Sequence, residues 1–104
     1  MTKNLYTILS STPDCVKIQL SKEDHPIFKA HFPNNPILPG FLQIDIISEI
    51  LEDTITTINK SKFISHISPQ DIIEYKIITK SENKKIITII KDTKKISEFT
   101  YESK

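Results

Sequence analysis

Pro39-Gly40-Phe41-Leu42-Gln43-Ile44-Asp45-Ile46-Ile47-Ser48-Glu49-Ile50-Leu51 is the run around which the rest of the chain must be arranged. No helix breaker follows Pro39-Gly40 before Ile58, so the spacing predicts a helix over Phe41–Ile58. Its first half is apolar almost all round, with Phe41, Leu42, Ile44, Ile46, Ile47, Ile50 and Leu51. A helix of that kind is buried on most sides. From Glu52 onward it turns polar and can meet solvent. Most of the remaining chain reads as strands. One buried helix in a strand-rich chain implies a sheet wrapped around it, an α+β architecture.

The strands are read from alternation and turn chemistry. Leu5–Leu9 and Val16–Leu20 flank a turn at Ser10–Asp14 that contains Pro13, which predicts a hairpin. Beyond the helix come Lys62–Ile67, Ile72–Thr79, Lys85–Ile90 and Ile96–Tyr101, the last three joined by short polar turns into a meander. Residues 23–39 differ, because Pro26, Pro33, Pro36 and Pro39 fall within fourteen positions. Their fixed φ angles and missing donors predict a stiff loop without regular helix or inner strand.

Composition narrows the function classes. The 104 residues fit one domain, expected to span 1–104. With 14 basic and 13 acidic residues the chain lacks the basic excess of a general nucleic-acid binder. Residues 1–58 hold 4 Lys and 7 acidic groups, and residues 59–104 hold 10 Lys and 6, which reads as solvated strand faces or a weak attraction for an acidic partner. Every basic residue is Lys, so no bidentate Arg clamp exists. The single Cys15 excludes an internal disulfide and a cysteine-based zinc site. His25, His31 and His66 do not follow a recognised metal-ligand spacing. The N-terminus has one Lys followed by alternating residues, unlike a signal peptide, and a cytoplasmic location is expected.

Three features of residues 25–45 can carry chemistry. His31 sits in the proline-stiffened loop, where rigid backbone can hold a general base in one orientation, although a lone loop histidine is commonly structural. Gly40, the only glycine, opens the helix, where unpaired N–H groups can polarise a carbonyl; a plain loop-to-helix junction is the simpler alternative. Asp45 lies between Ile44 and Ile46, about 7.5 Å along the axis from Gly40. Burial there would keep a proton on the carboxyl and make it a general acid; otherwise it reaches solvent on a narrow stripe with Ser48 and Glu52. A base, a carbonyl-polarising site and an acid suit proton abstraction beside a carbonyl with loss of a β-hydroxyl.

His31-Phe32-Pro33-x-x-Pro36-Ile37-Leu38-Pro39-Gly40, followed by Gln43-Ile44-Asp45, resembles the signature of the β-hydroxyacyl-acyl carrier protein dehydratases. His25–Ala30 resembles the lead-in to that signature, and Lys62-Phe63 with Pro69 and Asp71 resembles the strand and turn after the helix, so the likeness spans about residues 15–75. The resemblance implies a hotdog fold, an antiparallel sheet around one long helix. It implies His31 as the base at the α-carbon, Asp45 as the acid at the β-hydroxyl, and the Gly40 N–H on the thioester carbonyl. Phe41 would line an apolar tunnel for the acyl chain. It further implies a homodimer or an oligomer of dimers, His31 of one subunit meeting Asp45 of the other, with acyl carrier protein as the partner and no metal or redox cofactor. Asn34 and Gln70 stand where relatives commonly have Gly, and Phe41 where they often have a smaller residue. The short length and the Pro-Ile-Leu-Pro-Gly wording resemble dehydratase-like proteins of specialised pathways such as aryl polyene synthesis. Two other readings are a hotdog acyl thioesterase and a non-catalytic subunit that binds the acyl carrier.

Overall fold

A computed structural model describes residues 2–30 and 34–104. Six strands form one antiparallel sheet: β1 (Tyr6–Thr12), β2 (Cys15–Leu20), β3 (Ile55–Phe63), β4 (Ile72–Ser81), β5 (Lys84–Lys91) and β6 (Lys94–Ser103). Among the described residues two helices, α1 (Pro26–Ala30) and α2 (Gly40–Leu51), lie in the chain between β2 and β3. The sheet order is β1-β2-β4-β5-β6-β3, so β1 and β3 are its edges.

Alternation fixes which face of the sheet meets the helix. Val16, Ile18 and Leu20 of β2, Ile73, Tyr75 and Ile77 of β4, and Ile87 and Ile89 of β5 are buried at every second position. In β6 an extra residue at Ile96 shifts the register, after which Ser97, Phe99 and Tyr101 continue the buried face. These residues form one core with Leu42, Ile44, Ile46 and Ile47 of α2. The hydroxyl of buried Tyr75 donates to the Gln43 main-chain oxygen at 2.8 Å, tying the sheet centre to the helix.

The helix is shorter than the sequence predicts. It ends at Leu51, because Glu52 takes a left-handed conformation (φ 57°) and its N–H donates to Glu49 O, while the Asp53 N–H donates to Ser48 O. Thr54-Ile55-Thr56-Thr57-Ile58 is rich in β-branched residues and opens β3, which therefore runs over Ile55–Phe63 and not Lys62–Ile67. Asp53 then anchors the helix end, accepting from Lys85 Nζ and Tyr101 Oη at 2.6 Å each. Burial, and next the bond to Asp53, push the Tyr101 phenol well above its ordinary pKa, so it stays a donor.

The proline-rich segment also departs from expectation, because it contains α1. Pro26 occupies the first helical position, where a missing N–H costs nothing. His25 caps it: Nδ1 accepts the Ile27 N–H at 3.1 Å, and Nε2 lies 2.8 Å from Lys3 O. His25 is thus a structural residue.

The β5–β6 hairpin pairs Lys91 with Lys94 across Asp92 and Thr93, both at positive φ (51° and 64°). A two-residue turn of this type favours Asp-Gly, and a β-branched residue there is strained. Thr93→Gly is expected to raise stability by about 0.5–1 kcal/mol. Denaturant unfolding checks it, and a lower midpoint would contradict the strain assigned to Thr93.

Candidate active site

Gly40 is the first residue of α2, preceded by extended Pro39 (φ −61°, ψ 150°) with no capping side chain. Pro39 O accepts the N–H groups of Leu42 and Gln43 at 3.1 and 3.2 Å. The Gly40 N–H has no carbonyl to reach within the helix, and no acidic residue stands in the first turn. A donor at the positive end of a twelve-residue helix is well suited to a carbonyl oxygen gathering charge.

Close approach explains the glycine. A Cβ at position 40 would stand 2.7 Å from two ring atoms of Phe63. Phe63 is the last residue of β3, so the helix start and the end of an edge strand meet here. The turn leading into Gly40 is anchored by the Leu38 N–H, which donates to Ile67 O at 2.8 Å, with both side chains buried.

Asp45 is exposed on the chain, which corrects the expectation that it is buried. It shares the outer stripe of α2 with Phe41, Glu49 and Glu52, spaced three and four residues apart, while Gln43, Ile46 and Ile47 face the sheet. Phe41 is half exposed. Among the described residues no donor reaches the Asp45 carboxylate, whereas Glu49 accepts from Thr2 Oγ1 and, at 2.6 Å, from Tyr6 Oη. Those two bonds hold the Glu49 carboxyl below the usual carboxylate range. The helix thus shows two carboxylates one turn apart, Glu49 engaged by the N-terminal segment and Asp45 exposed without a donor among the described residues. His31, Phe32 and Pro33 lie outside the described residues.

Gln43 is the site residue that sequence reasoning missed. It is 3% exposed amid isoleucines. Its Nε2 donates to Leu38 O at 3.3 Å, and its Oε1 accepts from buried Ser97 Oγ at 2.7 Å. The signal that could have found it is its spacing to Ile46 and Ile47, which places Gln43 on the buried face.

β3 exposes nearly every residue along its length, with Ile58 and Phe63 about half exposed and Ile64 just beyond. An open edge strand with apolar side chains is a template for another chain.

Comparison with known proteins bears on these features. The ApeI-like family, described as ApeI dehydratase, matches residues 10–100. The 3-hydroxyacyl-(acyl-carrier-protein) dehydratase FabZ of Alkaliphilus metalliredigens (strain QYMF) is 31% identical over 67 residues, covering 52% of this chain. The match spans 46% of that relative, so the chain spans about half the length of the curated protein it matches. Among solved structures, the dehydratase heterocomplex ApeI:P from Xenorhabdus doucetiae superposes with a TM-score of 0.78 at 21% identity, covering 94% of this chain and 96% of that one. Mouse thioesterase superfamily member 2 gives 0.61 at 15% identity, covering 95% and 81%. At such identities the structural likeness speaks for the fold alone, and the fold is the hotdog. With the family match over most of its length, the chain belongs to the ApeI-like dehydratase family.

Proposed function

We propose that the chain dehydrates β-hydroxyacyl thioesters held on acyl carrier protein to trans-enoyl thioesters, and that it does so as a homodimer. The observation that carries this reading is the pairing of two features on one helix. Gly40 presents its N–H at the opening, and Asp45 five residues on shows a carboxyl that no donor among the described residues engages. The family match and the FabZ relative support the reaction class.

In the proposed step the thioester oxygen accepts from the Gly40 N–H, which stabilises the charge that develops when the α-proton leaves. His31 takes that proton. The electron pair forms the Cα–Cβ double bond as the Cβ–O bond breaks, and Asp45 gives its proton to the departing hydroxyl, which leaves as water. The proton on His31 and the vacancy on Asp45 cancel, so the pair resets by proton exchange. Phe41, half exposed beside Asp45, would line the path of the acyl chain.

The exposure of Asp45 supports a second copy at the site. Joining β3 edges would satisfy their open backbone groups, cover Ile58 and Phe63, and exclude water from the reacting groups. A two-fold dimer then carries two sites, each with His31 from one chain and Asp45 from the other.

Mixing tests the shared site. His31→Ala and Asp45→Asn homodimers should both be inactive. Unfolding and refolding them together in equal amounts should restore about a quarter of wild-type turnover, because half of the dimers are mixed and each holds one intact site. Mixed dimers that form but show no turnover would contradict a site shared between chains.

A further inference from the structure

We propose that Gln43 is a positioning residue that fixes the direction of the Gly40 N–H by tying the Leu38-Pro39-Gly40 turn to β6; this rests on the dehydratase reading above. Gln43 is buried, and a buried amide is costly unless it is hydrogen-bonded, whereas an apolar side chain could fill the same space without that demand. Gln43 meets the demand at both ends of its side chain, through Leu38 O and Ser97 Oγ. Its value therefore lies in what those bonds hold together.

They hold the turn from two sides. Leu38 O, the acceptor of Nε2, belongs to the residue two positions before Gly40. Ser97, the donor to Oε1, pairs in register with Phe63, whose ring rests against Gly40. Phe63 is 43% exposed, whereas Leu38, Gln43 and Ser97 are all buried, so the tether has the firmer surroundings of the two contacts. Gln43 also sits on the same helix as Asp45, so the tether sets the carbonyl-binding donor relative to the proposed acid. Misplacement of such a donor by about 1 Å can cost a hundredfold in rate.

Two variants separate positioning from packing. Ser97→Ala removes the hydroxyl but leaves the Leu38 tether; Gln43→Leu combined with Ser97→Ala removes the tether as well and leaves no orphaned side-chain partner between the two positions. The double variant is expected to unfold no more easily than Ser97→Ala, yet to show kcat at least about tenfold lower with KM within about twofold. Its Leu38 and Leu42 amides, which donate to Ile67 O and Pro39 O on either side of Gly40, are expected to exchange with solvent at least about tenfold faster than in Ser97→Ala. Equal kcat in the two variants, or equal exchange at Leu38 and Leu42, would overturn the proposal. Wild-type protein that dehydrates no β-hydroxyacyl thioester would instead refute the dehydratase reading, and the exchange rates would still decide whether Gln43 holds the turn.

Discussion

Asp45→Asn is expected to fold as the wild type does and to turn over a β-hydroxyacyl thioester about a hundredfold to ten-thousandfold more slowly. The stability half of this expectation follows from exposure. Asp45 stands on the outer stripe of α2, takes no hydrogen bond from the described residues, and the amide has nearly its shape. Within the single chain, where Asp45 is exposed, a change of this kind stays within about 0.5 kcal/mol. The activity half follows from chemistry, since an amide cannot give a proton to a departing hydroxyl. Thermal unfolding and kcat measured on the same preparation check both halves. Turnover within tenfold of wild type would remove Asp45 from the acid role.

The neighbouring residue should behave in the opposite way. Ile46 has no exposed surface and packs in the core shared by α2 and the sheet. Ile46→Ala removes three carbons from a site with little room to collapse, and such changes cost about 2–5 kcal/mol. Against the 5–15 kcal/mol typical of folded domains, that is a large share of the total. Equilibrium unfolding in guanidinium chloride measures it. A loss under about 1 kcal/mol would show that the inner face of α2 is loosely packed. One step along a helix turns a side chain by about 100°, so adjacent positions serve chemistry and stability separately.

The elements that alternate strictly are legible in the amino-acid sequence. Val16-x-Ile18-x-Leu20 and Ile73-x-Tyr75-x-Ile77 each bury one face of a strand, and Pro39-Gly40 marks where the loop ends and the helix starts. The end of that helix is hidden, because Glu52 makes the left-handed turn that glycine usually signals. The strand content of Thr54–Ile58 lies in β-branched side chains, which a search for breakers overlooks. α1 is masked by prolines that read as loop, although Pro26 stands at the one helical position that welcomes it. The exposure of Asp45 and the burial of Gln43 have a common reason. Between Ile44 and Ile46 the local composition suggests burial for Asp45, but helical phase puts it with Phe41 and Glu49 and turns Gln43 inward. Phase decides within a helix, and composition does not.

The most direct test of the reaction is to incubate wild type, His31→Ala and Asp45→Asn with a β-hydroxyacyl thioester on acyl carrier protein and to weigh the loaded carrier by mass spectrometry. The dehydratase reading predicts loss of one water by the wild type alone, with the thioester intact. Release of free carrier thiol would indicate a thioesterase. An unchanged carrier across several chain lengths, bound but not converted, would contradict the reading and indicate a hotdog subunit that binds the acyl carrier without catalysis.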